Sequence, residues 1–119
     1  MQSVELKQVV SDALEDAKGV GITWLDVTDQ TDITDYMAVV SGTSSRHVKS
    51  VVARVIEFAA KAGKRPIGVE GLEDGEWVLV DLGDIIVHVM VPKAREFYDL
   101  ERLWSISSAR SESFPLIEH

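Results

Sequence analysis

Gly71-Leu72-Glu73-Asp74-Gly75-Glu76-Trp77-Val78-Leu79-Val80-Asp81-Leu82-Gly83-Asp84-Ile85-Ile86-Val87-His88-Val89-Met90-Val91-Pro92 is the stretch whose reading decides the fold. It predicts two strands, Glu76 to Leu82 and Asp84 to Val91, with turn chemistry at Gly71–Gly75 and at Gly83. The short junction at Gly83 leaves no room for a crossover helix, so the two strands pair antiparallel. The second strand is apolar at nearly every position, which predicts a central place with both faces covered. The first alternates. Val78, Val80 and Leu82 share one face, and Trp77, Leu79 and Asp81 share the other. The all-aliphatic set is the better core face. The mixed set then has two readings. It forms an exposed docking patch with Trp77 as anchor and Asp81 as charge partner, or Trp77 packs under the next helix. Pro92 suits the first turn of that helix, predicted to run to about Trp104 with Phe97, Leu100 and Trp104 on its apolar face and Leu103 beside them.

Upstream, Leu6, Val9, Val10, Ala13, Leu14 and Ala17 recur at helical spacing within Val4 to Lys18. Ser3 is the expected cap and Gly19 the expected left-handed stop. Ile22 to Val27 and Tyr36 to Val40 read as strands around a polar loop, Thr28 to Thr34. Ser44 or Ser45 then caps a helix whose apolar face is Val48, Val51, Val52, Val55, Ile56 and Ala59, ended by Gly63. Ile67 to Glu70 is a third strand. The fold class that follows is α/β, with a single mixed sheet of about five strands and helices packed on it. Residues 1–104 make one domain. Residues 105–119, serine-rich and aperiodic, read as a mobile tail.

A chain of 119 residues is enough for one domain and buries about two thirds of its unfolded surface. With no cysteine, disulfides and thiolate metal sites are excluded, which fits a reducing, cytoplasmic setting. No apolar run of about 18 residues is present, so no membrane span is expected. The net charge of −8, from 20 acidic and 12 basic residues, repels phosphate backbones and disfavours DNA. It favours basic partners, among them basic proteins, although acidity also serves solubility alone.

Three constellations invite chemistry. Gly42-Thr43-Ser44-Ser45-Arg46-His47 sits between a strand and a helix, where backbone amides and Arg46 suit an anion. It lacks the Walker pattern, and a serine there also serves as a plain helix cap. Asp26, Asp29, Asp32 and Asp35 recur every third residue, a pattern that suits magnesium if they converge and turns if they do not. His47 and His88 are the internal histidines, and no nucleophile–base set goes with them. A strand histidine such as His88 more often satisfies a buried hydrogen bond. We expect no catalytic residue, cofactor or metal, and a binding protein rather than an enzyme.

Several of these segments, taken in series, resemble one family. They are Asp32-Ile33-Thr34-Asp35-Tyr36-Met37, Ser41-Gly42-Thr43-Ser44-Ser45-Arg46-His47-Val48, Val69-Glu70-Gly71, Trp77 to Val89, and Arg95-Glu96-Phe97-Tyr98-Asp99-Leu100-Glu101-Arg102-Leu103-Trp104. The chain is similar over residues 4–104 to the ribosomal silencing factors, also called Iojap-like. The resemblance implies a nucleotidyltransferase-like topology without enzymatic activity. It implies binding to the large ribosomal subunit through its protein number fourteen, blocking small-subunit joining and lowering translation under nutrient limitation. It places Trp77, Leu79 and Asp81 at the partner surface, with Glu70 and His88 flanking them. A homodimer hiding the same patch is a further expectation for the free protein. The competing expectation is a nucleotide-binding enzyme, with phosphates at Gly42–Arg46 and metal at Asp26, Asp32 or Asp35.

Overall fold

The computed structural model describes residues 2–100 and Arg102. Eight elements follow in chain order: α1 (Ser3–Asp16), β1 (Val20–Asp26), β2 (Tyr36–Ser41), α2 (Ser45–Lys61), β3 (Gly68–Glu70), β4 (Trp77–Asp81), β5 (Ile85–Met90) and α3 (Pro92–Tyr98). The strands form one five-stranded sheet in the order β1-β2-β5-β4-β3. β2 and β5 run parallel, and the remaining pairs are antiparallel. This is the expected α/β class with a single mixed sheet, and β5 takes the central place that its apolar sequence predicts.

The core lies between that sheet and two helices. Ala38, Val40, Val78, Val80, Val87 and Val89 line one sheet face, each fully buried. Leu6, Val10, Ala13 and Leu14 of α1 and Val48, Val51, Val52, Val55 and Ala59 of α2 pack on them. Burying one such aliphatic side chain contributes about 1.5–3 kcal/mol, so the helical and strand periodicities together specify which face turns inward. β4 shows this most plainly. Val78 and Val80 are buried, while Trp77, Leu79 and Asp81 are half-buried on the opposite face.

Helix ends follow local chemistry where nothing distant competes. Ser44 caps α2, its hydroxyl accepting the His47 N–H at 3.1 Å. Gly63, with φ of 88°, turns the chain out of that helix. Its N–H reaches the Ala60 carbonyl, and the Lys64 N–H reaches that of Ala59, the bonding pattern of a left-handed helix stop.

Three expectations about helix ends are corrected. Ser3 is not the cap of α1; Gln2 is, and its N–H donates to Glu5 Oε1 at 2.9 Å. Ser3 is already the first helical residue, and its hydroxyl donates to Asp35 Oδ2 at 2.6 Å, a charge-assisted bond. The left-handed residue after α1 is Lys18, with φ of 61°, and not Gly19. Gly19 is needed for space: a Cβ there would lie 2.6 Å from Val40 Cγ2. Finally, α3 stops at Tyr98 because Asp99 adopts the left-handed conformation, with φ of 50°. The expected continuous run is broken at Asp99, Leu100 and Arg102 are again helical, and Leu103 and Trp104 lie outside the described residues, as does the expected tail. Phe97, placed by spacing on an apolar face, is 79% exposed. A helix this short buries no residue of its own.

Candidate docking surface

Register brings the five nominated residues to one face of the sheet. Glu70 pairs with Leu79, and Leu79 with His88, so the three form one row across β3, β4 and β5. Directly opposed residues on neighbouring strands share a face. Trp77 and Asp81, two positions either side of Leu79, flank that row. The helices α1 and α2 pack on the other face, through Val78 and Val80. The sequence therefore placed these residues together correctly, although the Glu70–Leu79–His88 row needs the register to be seen.

Their environments differ. Glu70 is exposed, Trp77, Leu79 and Asp81 are half-buried, and His88 is buried at 6% exposure. Trp77 and His88 are diagonal neighbours, since Trp77 pairs with Met90 and Leu79 with His88. That spacing is within reach of aromatic side chains. The Trp77 Nε1–H donates to His88 Nδ1 at 3.0 Å. Burial pushes the His88 pKa down to about 4, because the charged imidazolium is poorly solvated there. At neutral pH the ring is uncharged and accepts through Nδ1, leaving its proton on Nε2.

Asp81 is less free than a surface charge partner. Its Oδ1 accepts the Gly83 N–H at 2.8 Å, which holds the β4–β5 turn. The Trp77 ring also meets Tyr98 of α3, with centroids 4.5 Å apart, and Phe97 meets Tyr98 edge-on at 5.0 Å. Tyr98 is 51% exposed. So Trp77 neither stands free nor disappears beneath α3. It forms the inner member of an aromatic row that continues outward through Tyr98 to Phe97. Spacing alone missed that continuation, because it assigned Phe97 to a buried face. Glu76, Lys93 and Glu96 line a groove beside Phe97 and Tyr98.

Arg95 ties α3 to the far side of the sheet. Its guanidinium donates to Ser41 Oγ at 3.0 Å and to Thr23 Oγ1 at 3.1 Å. This clasp fixes where α3, and with it Tyr98, stands relative to β4.

Members of the competing constellations help to hold the fold. In the Gly42–His47 segment, the Thr43 N–H donates to His47 Nδ1 at 2.9 Å, and His47 Nε2 lies 2.9 Å from the Ala17 carbonyl. The imidazole thus links the start of α2 to the end of α1, and the amides of Gly42, Thr43 and His47 already have partners within the chain. Asp26 accepts from Thr28 N–H and Oγ1–H at 3.0 and 2.6 Å, which lowers its pKa. Asp35 accepts from Ser3. Among the described residues no group of three or more histidine or acidic side chains is placed to hold a metal. No helix among them is long and apolar enough to cross a membrane.

Comparison with known proteins adds a second kind of observation. A family model described as "Ribosomal silencing factor during starvation" matches residues 1–118. A ribosomal silencing factor of Chromobacterium violaceum is 44% identical over 104 residues, covering 87% of this chain and 85% of that protein. A crystal structure of a Chromobacterium violaceum protein superposes with a TM-score of 0.86 at 44% identity, covering 88% of each chain. The mouse protein named "Mitochondrial assembly of ribosomal large subunit protein 1" is 34% identical over 87 residues, covering 71% of this chain and 38% of that protein.

Proposed function

This chain belongs to the ribosomal silencing factor family, and from that premise we propose that it binds the large ribosomal subunit through the subunit's protein number fourteen. Docked there, it blocks small-subunit joining and so lowers translation when nutrients are limiting. The action is occlusion: it requires no turnover, cofactor or metal.

The observation that best supports this reading is the half-exposed face of β4. Trp77 and Leu79 offer apolar area next to the exposed rings of Tyr98 and Phe97. Carboxylates outnumber cations around it, with Glu70, Glu76, Asp81 and Glu96 against Lys93. An apolar centre with a charged rim is the common plan of a protein interface. The acidic rim and the net charge of −8 suit a basic protein and disfavour bare RNA. The mouse relative's name independently points to a large subunit.

Sedimentation tests the proposal. Purified protein should co-pellet with isolated large subunits, and joined ribosomes should fall when it is added before small subunits. Trp77→Ala should weaken large-subunit binding by about 1–3 kcal/mol, the range for an aromatic anchor, which is roughly a 5- to 150-fold loss in affinity. Absence of co-pelleting at micromolar protein would overturn the reading. Unchanged affinity of a folded Trp77→Ala variant would remove Trp77 from the surface.

A further inference from the structure

Trp77 carries its polar group already spent inside the chain. An indole has a single hydrogen-bonding group, the Nε1–H donor. Here it points to His88 Nδ1 at 3.0 Å. His88 cannot easily move to release it: it is 6% exposed on the central strand, paired with Val39 on one side and Leu79 on the other. On the remaining side Trp77 rests against Tyr98, with centroids 4.5 Å apart. The indole is therefore held by a hydrogen bond at one edge and a ring contact elsewhere.

We propose that His88 is the positioning residue of this surface: it fixes the Trp77 indole by accepting its N–H, so that a partner meets Trp77 as a rigid apolar body. The proposal rests on the docking reading above and deepens it. It assigns His88 a role behind the interface rather than in it, and it states the chemistry of what lies opposite Trp77. That partner surface is apolar at its centre and need supply no acceptor to the indole. Its basic groups face the acidic rim at Glu70 and Glu76.

Fixing a side chain before binding removes the entropy loss that binding would otherwise incur. Losing the His88 acceptor should thus weaken docking by roughly two- to tenfold, the cost of immobilising one side chain. Two variants separate positioning from packing. His88→Leu keeps an apolar body of similar size with no acceptor. His88→Asn places a carbonyl oxygen close to where Nδ1 stands.

The test combines two readouts on the full chain. The indole N–H resonances of Trp24, Trp77 and Trp104 are assigned by single Trp→Phe variants, and the hydrogen exchange of Trp77 is followed. Large-subunit affinity is then measured by sedimentation. We expect His88→Leu to shift the Trp77 indole resonance, speed its exchange and weaken docking, and His88→Asn to restore all three. An unchanged Trp77 resonance in folded His88→Leu would overturn the proposal regardless of any ribosome. A changed resonance with undiminished affinity would overturn the role in docking. If wild-type protein fails to pellet, the docking reading falls and takes this role with it, while the resonance still reports whether His88 holds the indole.

Discussion

Lowering the pH should destabilise this fold through His88 in a defined window. The unfolded imidazole titrates near 6.5, and burial pushes the folded value down to about 4. Above pH 6.5 both states are neutral, and His88 makes stability no different from one pH to the next. Between pH 6.5 and about 4, the unfolded chain takes up a proton that the folded chain does not. Stability is therefore lost as the pH falls through this window, and the loss levels off below pH 4, where both states are protonated. The gap corresponds to about 3 kcal/mol, at about 1.4 kcal/mol per pH unit. That is a large share of the 5–15 kcal/mol typical of a domain. The cause is geometric: His88 is nearly fully buried, its row neighbours Val39 and Leu79 are apolar, and protonating Nδ1 would put a donor against the Trp77 N–H. Urea unfolding at pH 7, 6, 5 and 4, on wild type and His88→Leu, measures this. Carboxylates such as Asp26 also titrate at the acid end, but they are common to both proteins and cancel in the difference. The wild type should lose about 3 kcal/mol more than the variant between pH 7 and 4. Parallel pH profiles would refute the assignment of a depressed pKa to His88.

Two further substitutions probe how the chain holds this face in place. Gly71→Ala adds a Cβ at φ of 85°, directly against the Trp77 carbonyl oxygen; we expect a loss of about 2 kcal/mol or more in thermal or urea unfolding, since both the backbone conformation and the contact become strained. Ser44→Ala removes the cap on the His47 N–H and should cost about 1 kcal/mol in the same assay, with binding of the folded protein to large subunits unchanged because α2 packs on the sheet face opposite the docking residues.

What could be read in the sequence was whatever local periodicity determines. The alternation of β4 separated Val78 and Val80 from Trp77, Leu79 and Asp81, and the structure divides them in the same way. Ser44 and Gly63 were recognisable as the ends of α2 because each acts on its own turn. Misreadings arose where a distant residue intervenes. Ser3 looks like a cap, yet it is already the first helical residue and its hydroxyl goes to Asp35, 32 positions away. Gly19 looks like a helix stop, yet it is small because Val40 stands against it. The end of α3 at Asp99 has no signature in the spacing of Phe97 and Leu100. The site was legible as a set of residues and illegible as a mechanism: that His88 faces Trp77 depends on the β4–β5 register, which places them diagonally.

β4 thus does two things with one strand, and this constrains how the surface can vary. Its inward residues, Val78 and Val80, belong to the core beneath α1 and α2, and they tolerate little change in volume. Its outward residues are only half-buried, so Leu79 is open to substitution at small cost to the fold. Asp81 and Trp77 are not: Asp81 holds the turn through the Gly83 N–H, and Trp77 joins His88 to Tyr98. Affinity and stability are consequently coupled at Trp77 and Asp81 and separable at Leu79. A binding defect at Leu79 alone reports contact with a partner, whereas one at Trp77 also reports the order of the face, which is why Trp77→Ala must be read beside the His88 variants.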